Sequence, residues 1–463
     1  MSAQITPIVR HTSPDFVSRY ETIPFKVYTQ RDLDRIAPLQ QLDEAQRFEM
    51  KVVSSVLPFR VNQYVIDELI DWDNIPNDSI YQLTFPQRGM LTPEHYERIA
   101  QLIREGADKA VLNAAIDEVR QDLNPHPADQ MEMNMPRDDE GMRLDGLQHK
   151  YRETVLFFPS QGQTCHTYCT FCFRWAQFVG DKDLRIASSE AAQLHDYLRA
   201  HREVTDVLLT GGDPMVMKTT HLANYLEPLL EPEFDHIQTI RIGTKALTFW
   251  PHRFLGAPDA DGLLQLLERL VEAGKQVAIM AHYNHWKELE PEAAQAAIRR
   301  VRGTGAVIRG QGPLIAHIND DAEAWARLWQ AQVRLGIVPY YMFVERDTGA
   351  SHYFEVPLVR AWEIYREAMQ RVSGLARTAR GPSMSASPGK VEIQGVAEIA
   401  GEKVFVLRFI QARNPDWVQR PFFARYDATA TWLNHLRPAF GEEKWFWEDE
   451  YETLRGHAGA AES

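Results

Sequence analysis

Cysteine is nearly absent: the 463-residue chain holds three, all between positions 165 and 172. That clustering excludes a fold stapled by several disulfides, and thiols without partners imply a reducing interior. Basic residues are also in short supply, with 50 Lys and Arg against 64 Asp and Glu, a formal net charge of −14. No basic tail offsets the deficit, which argues against a nucleic-acid-binding surface, since phosphate binding needs clustered Lys and Arg. No apolar run approaches the roughly eighteen residues of a membrane span, and no signal-peptide core follows Met1. The expectation is a cytoplasmic protein with no membrane partner. What is present is ordinary for a soluble globular protein: 44% hydrophobic and 25% charged residues, in a chain long enough for one barrel with additions or for two to three domains.

Cys165, Cys169 and Cys172 stand at C-x3-C-x2-C spacing. Three thiolates supply three corners of a tetrahedral site and no fourth. A structural zinc ion would need His166, which sits too close to Cys165 to close the site easily, or a distant His. A four-iron cluster instead leaves one iron open to bind a small molecule through amino and carboxylate groups. Three buried cysteines packing as small apolar residues are the third reading.

The first thirty residues show no period and read as a loose lead-in. Asp32 to Val65 reads as helical, with helix-spaced apolar residues over Leu42–Leu57 and Asn62–Ile70 and a turn at Trp72–Asp78. Thr92-Pro93-Glu94 opens another helix, with Ile99, Leu102 and Ile103 as its apolar stripe. The polar stretch from Asn124 to Asp145 reads as a linker over the surface. From Thr154 short apolar runs alternate with helical stretches, which predicts βα units with strands at Thr154–Phe158, Asp206–Leu209, Thr239–Ile242, Gln276–Met280, Ala306–Ile308 and Val338–Phe343, six units before Gly374. A hairpin follows, Val391–Ile399 with Lys403–Phe409. The segment holding Trp417, Phe422, Phe423, Tyr426, Trp432, Trp445 and Trp447 reads as packing against the barrel or a partner subunit, because its acidic flanks, Glu442-Glu443 and Glu448-Asp449-Glu450, argue against nucleic acid. Three regions result: 1–145, 146–375 and 376–463.

In a parallel βα fold chemistry gathers at the carboxyl ends of the strands. There the sequence places the cysteine loop, Thr210-Gly211-Gly212-Asp213-Pro214, Gly243-Thr244-Lys245, His282-Tyr283-Asn284-His285, Arg309-Gly310-Gln311 with Asn319-Asp320, and Glu345-Arg346-Asp347. Each alone is more often a turn; their coincidence after six successive strands points to a site. Gly211 and Gly212 permit positive φ and close approach to a ligand.

The cysteine spacing resembles that of radical S-adenosylmethionine enzymes. More narrowly, the chain resembles the lysine 2,3-aminomutase family, including the branch that makes β-lysine for elongation factor P. Gly146-Leu147-Gln148-His149-Lys150-Tyr151, Cys172-Phe173-Arg174, Gly211-Gly212-Asp213-Pro214, Ile240-Arg241-Ile242-Gly243-Thr244, His282-Tyr283-Asn284-His285, Pro339-Tyr340-Tyr341 and Ser387-Pro388-Gly389-Lys390 carry the resemblance, in family order.

The resemblance implies an α/β fold, a partial (βα)6 parallel barrel of radical S-adenosylmethionine type with a helical N-terminal region and a C-terminal α+β extension. It implies a [4Fe-4S] cluster on Cys165, Cys169 and Cys172, S-adenosyl-L-methionine beside Gly211 and Gly212, and cofactor-binding roles for Asp213, Arg241 and His282. Pyridoxal 5'-phosphate would be joined to Lys390, with Gln311 and Asn319 near its phosphate. Arg174 would grip the carboxylate of an amino-acid substrate and Glu345 would face its distal end. The implied reaction is 1,2-amino migration, started by a 5'-deoxyadenosyl radical that abstracts hydrogen from the substrate held as a pyridoxal phosphate imine. Implied partners are an external electron donor such as flavodoxin or ferredoxin and a second copy of the chain. Two departures stand out. Thr154 occupies the place of a phosphate-binding arginine, with Arg152 nearby as a replacement. The two aspartates that hold the ε-ammonium group in the lysine enzymes align with Glu345 or Arg346 and with Ser383, Met384 and Ser385. A radical enzyme without pyridoxal phosphate (an epimerase, dehydrogenase or lyase) and a zinc-stapled binding module remain as alternatives.

Overall fold

The computed structural model describes residues 23–127, 130–138, 140–179 and 186–460. Its centre is a run of strands: β4 (Thr154–Phe157), β5 (Asp206–Leu209), β6 (Thr239–Thr244), β7 (Gln276–His282), β8 (Val307–Leu314), β9 (Val338–Val344) and β10 (Arg380–Ser385). Each pairs in parallel with the next. Between successive strands lie the helices Ala191–Ala200, Thr219–Leu226, Ala260–Glu272, Glu292–Gly303, Ala322–Arg334 and Leu358–Gln370. Their apolar stripes cover the outer face; in Ala260–Glu272 the residues Leu263, Leu266, Leu267 and Leu270 are fully buried. Local chemistry starts one of them, Ala322–Arg334, where the Asp321 carboxylate accepts from the Ala324 amide at 2.8 Å.

The six expected strands are all present, and β7, β8 and β9 run further toward their carboxyl ends than the apolar runs indicate. A seventh parallel strand, β10, is not legible in advance. Its sequence, Arg-Gly-Pro-Ser-Met-Ser, contains a Gly-Pro pair and no apolar alternation, features that argue against a strand; it forms because β9 offers it an edge.

Before β4, β3 (Leu147–Tyr151) adds an antiparallel strand. After β10, β11 (Gly389–Ile399), β12 (Glu402–Ala412) and β13 (Pro421–Arg425) extend the same sheet antiparallel, so eleven strands follow in linear order without a break at residue 375. The hairpin turn is Ala400-Gly401, both with positive φ. Trp417, Phe422, Trp432 and Trp447 are buried with Phe409 and Leu407 in a second core on these last strands, which is the packing role expected of them.

Two expectations for the N-terminal region are corrected. Asp32 to Val65 is not one helical stretch. The α-helix is Glu44–Val56, flanked by 3-10 turns at Gln30–Arg35 and Ala37–Gln41, and Arg60–Asn62 is a short strand, β2, paired with β1 (Val27–Thr29). Arg60 takes extended geometry because its carbonyl accepts the Tyr168 amide at 2.8 Å, while the Asn62 amide donates to Thr167 Oγ1 at 3.0 Å. The stretch from Asn124 to Asp145 is more than a surface linker. It contains a helix, Gln130–Met133, and buries Met131 and Met135 against Phe158 and Ile186.

Candidate active site

Alternation along the parallel strands sends every second residue to the inner face. Leu208 and Thr210, Arg241 and Gly243, Met280 and His282, and Gln311 and Pro313 line a single cavity of about 320 Å³. Cys165, Cys169, Cys172 and Arg174 line it as well, as do Tyr340, Tyr341, Phe343, Ser385 and Lys390.

The cysteine loop is held by its neighbours. A Cβ on Gly212 would stand 2.4 Å from the Thr164 carbonyl oxygen and 2.5 Å from its amide nitrogen. Gly211 has φ of +141°, and a Cβ there would meet the Gln163 amide at 2.2 Å. The glycine pair therefore lets the second strand's loop press against the cysteine loop, a use additional to ligand approach. Asp213 ties the two: its amide donates to the Thr164 and Gly162 carbonyls at 2.7 and 3.0 Å. Its carboxylate accepts from Thr244 Oγ1 and from the Lys245 and Met215 amides. Burial raises its pKa to about 6 despite those donors.

Burial pushes all three thiols up, Cys172 to about 11. Cys169 and Cys172 also feel the Glu345 charge. Such a triad resists becoming three thiolates unless a cationic centre joins it, which is what an iron–sulfur cluster supplies. Among the described residues no three His, Cys, Asp or Glu side chains are grouped for a single metal ion. The donor set, soft, threefold and beside a cavity, fits the cluster.

Arg174 lies against the Phe158 and Phe173 rings and donates to the Gly211 carbonyl at 2.9 Å. Burial, with Arg346 as a like charge, lowers its pKa to about 10. Arg241 lines the cavity but is committed: its Nε donates to Asp206 Oδ1 at 2.8 Å and its Nη2 to the other carboxylate oxygen. His282 lines the cavity and is held neutral by burial and by the nearby Lys245 charge.

Lys390 Nζ lies 4.2 Å from the Tyr341 ring centroid and 5.4 Å from that of Phe343, and donates to Gln411 Oε1 at 3.4 Å. Burial, then the charges of Arg241 and Arg380, bring its pKa down to about 7. Gln311 shares its cavity. Asn319 does not. It is buried, donates to the Asn284 and Pro313 carbonyls and accepts from the Ile315 amide, so it braces the loop after β8 with every amide group engaged.

Neither residue considered for the missing arginine reaches the cavity lining. Thr154 is buried and donates to Asp206 Oδ2, while Arg152, in the β3–β4 turn, is 66% exposed beside Glu153. The positive charge near Lys390 comes from Arg241 and Arg380, the latter 4.2 Å from the Tyr341 ring centroid. Glu345 and Arg346 both line the cavity. Glu345 is buried and forms no ion pair among the described residues, and burial pushes its carboxyl well above the usual range. Arg346 stacks on Phe173 and donates to the Pro127 carbonyl at 3.4 Å.

A buried ion pair went unforeseen. Lys245 Nζ donates to Glu288 Oε1 at 2.5 Å and to Asn284 Oδ1 at 2.9 Å, and Glu288 Oε2 accepts the Asn284 and His285 amides. The only sequence signal was Glu three residues after His285 at a turn. Ser385, named from the sequence only as an aligned position of the ε-ammonium aspartates, lines the cavity and pairs with Lys390; Gln411 was missed, because β12 runs to Ala412, past the Phe409 end of the apolar run.

Parallel strands with crossover helices, and a three-thiol loop opening on one cavity at their carboxyl ends, define an α/β protein with a cluster-type site. A protein of Aquifex aeolicus, provisionally named L-lysine 2,3-aminomutase, is 31% identical over 407 residues, spanning 88% of this chain and 95% of its own. The L-lysine 2,3-aminomutases of Haemophilus influenzae and Escherichia coli are 29% and 28% identical over 53–56% of this chain and 69–71% of theirs. Among solved structures, a radical SAM methyltransferase from Sphaerobacter thermophilus aligns over 63% of this chain and 94% of its own, with 16% identity and a TM-score of 0.37. No family model matches the chain. The chain belongs to the lysine 2,3-aminomutase family of radical S-adenosylmethionine proteins.

Proposed function

We propose that this protein is an amino-acid 2,3-aminomutase that uses a [4Fe-4S] cluster, S-adenosylmethionine and pyridoxal phosphate. The observation that carries the reading is that Cys165, Cys169, Cys172, Arg174 and Lys390 line one cavity at the carboxyl ends of the strands. Bound together, the cofactors supply a 5'-deoxyadenosyl radical and an imine through which a substrate nitrogen can migrate.

The protein's own share is placement and charge. The three cysteines offer thiolates to three irons. Gly211, Gly212 and His282 line the same cavity and would hold the small molecule bound to the fourth iron. Lys390, with a pKa near 7, holds its amine available as a nucleophile at neutral pH. Gln311 and Ser385 offer hydrogen bonds along its wall, and Arg241, which lines it, and Arg380, which does not, add positive charge near Lys390. Arg174 presents a planar fork suited to a carboxylate. Glu345, buried with no ion pair among the described residues, favours a substrate whose distal group is cationic, which would stabilise its carboxylate form against the effect of burial.

Anaerobic reconstitution is expected to give about four irons per chain. Dithionite with S-adenosylmethionine should then yield 5'-deoxyadenosine, and borohydride should trap a pyridoxyl group on Lys390. Alanine at any of the three cysteines removes the iron and the deoxyadenosine. Stoichiometric zinc without deoxyadenosine would overturn the radical assignment, and an unmodified Lys390 the pyridoxal phosphate assignment.

A further inference from the structure

Lys390 is the second residue of β11, and the ladder around it is irregular. It pairs with Ser385 on one side and Gln411 on the other, and the β11–β12 register slips between Lys390 and Val391. A bulge re-aims side chains, so strand pairing by itself leaves the direction of Lys390 underdetermined. The connection before it, Ala386-Ser387-Pro388, is gripped from outside the sheet. Arg413 Nε donates to the Ser387 carbonyl at 2.8 Å and the Arg413 amide to the Pro388 carbonyl at 3.1 Å. The Ser387 hydroxyl and the Tyr451 hydroxyl lie 2.6 Å apart in a hydrogen bond.

Both gripping residues are themselves anchored. Arg413 Nη1 and Nη2 donate to the Met133 carbonyl at 3.1 Å and to Asn134 Oδ1 at 2.6 Å. Tyr451, on the helix Glu448–Ala460, is buried beside Trp447 and its hydroxyl reaches Met133 Sδ at 3.5 Å. Segments more than 300 residues apart in sequence thus converge on two loop residues, Ser387 and Pro388.

We infer that Arg413 and Tyr451 are positioning residues, which aim Lys390 into the cavity by clamping the Ser387 loop, and that this is what the C-terminal extension contributes to the site. The inference rests on the reading of Lys390 as the residue that takes pyridoxal phosphate. The clamp acts through the loop, and its hydrogen bonds among the described residues run to Ser387, Pro388, Met133 and Asn134, so it is expected to govern cofactor attachment without governing the cluster.

The test uses full-length protein reconstituted with iron and sulfide, as wild type and as Tyr451→Phe, Arg413→Met and Arg413→Lys. Each is titrated with pyridoxal phosphate, reduced with borohydride and mapped by peptide mass spectrometry, with iron content and deoxyadenosine formation measured in parallel. Tyr451→Phe and Arg413→Met are expected to lower pyridoxyl labelling of Lys390 at least tenfold at limiting cofactor, and to leave iron and deoxyadenosine near wild type. Arg413→Lys should restore part of the labelling. Wild-type labelling in both Tyr451→Phe and Arg413→Met would refute the inference alone, as would loss of iron in proportion to labelling, which marks a merely structural role. Absence of label on Lys390 in the wild-type protein would refute the underlying reading and the inference with it.

Discussion

The titration of Lys390 is the sharpest quantitative consequence of the structure. An ordinary lysine amine titrates near 10.5, whereas Lys390 is brought to about 7. The ratio of neutral to protonated amine at pH 7 is therefore raised roughly three thousandfold, from about one to three thousand to about one to one. Its cause is first desolvation, then like charge from Arg241 and Arg380. The sign follows from both: each penalises the protonated form, so the neutral amine is populated from about pH 7 upward and disappears about tenfold per unit below it. Competitive acetylation of the cofactor-free protein with trace acetic anhydride, followed by peptide mass spectrometry between about pH 5.5 and 10.5, reads this against the exposed lysines. Lys390 should reach its plateau near pH 8 while Lys444 is still climbing. Arg380→Gln removes one of the two charges and should move the Lys390 midpoint upward. A Lys390 profile that overlays the exposed lysines, or an Arg380→Gln midpoint that falls, would refute the electrostatic argument.

Three further outcomes follow from packing and charge. Gly212→Ala places a Cβ against the Thr164 backbone; it should cost about 1–3 kcal/mol in urea unfolding and lower the iron retained after reconstitution. Glu288→Gln leaves Lys245 Nζ a weaker partner inside a buried pair, and a loss of about 3–5 kcal/mol is expected, with the Lys245→Met, Glu288→Met double variant less damaged than either single Met variant. Arg174→Ala should reduce turnover of every amino-acid substrate, whereas Glu345→Gln should selectively reduce turnover of cationic ones; competition between lysine and a neutral amino acid of similar length measures the difference.

The six strands of the βα run were legible because each carries a short apolar run, with alternate residues buried in β5 and β6, set between helical stretches. The cysteine loop and the Gly211-Gly212 pair were legible for a related reason, since thiols at fixed spacing and adjacent glycines restrict what the backbone can do. Arg60–Asn62, the helix at Gln130–Met133 and β10 were not. Each takes its conformation from a partner far along the chain: Tyr168 and Thr167 for Arg60 and Asn62, Phe158 and Ile186 for the methionines around the second, Tyr341 and Phe343 for the third. Propensity is a weak prior where a tertiary contact supplies the hydrogen bonds.

The same division runs through the site. The amino-acid sequence alone determined which chemistry is available: three soft ligands with one corner open, an arginine two residues beyond the last of them, and a lysine after Pro-Gly. Only the tertiary structure decided which side chains share a cavity. It drew Asn319 away into a loop brace, sent Arg152 to the surface, spent much of Arg241 on Asp206, and brought Tyr341 and Gln411 to Lys390. The physical reason is that a side chain's type sets what it can bond, while its partners are set by strand register and loop closure, and these arise from contacts between segments that are distant in the chain.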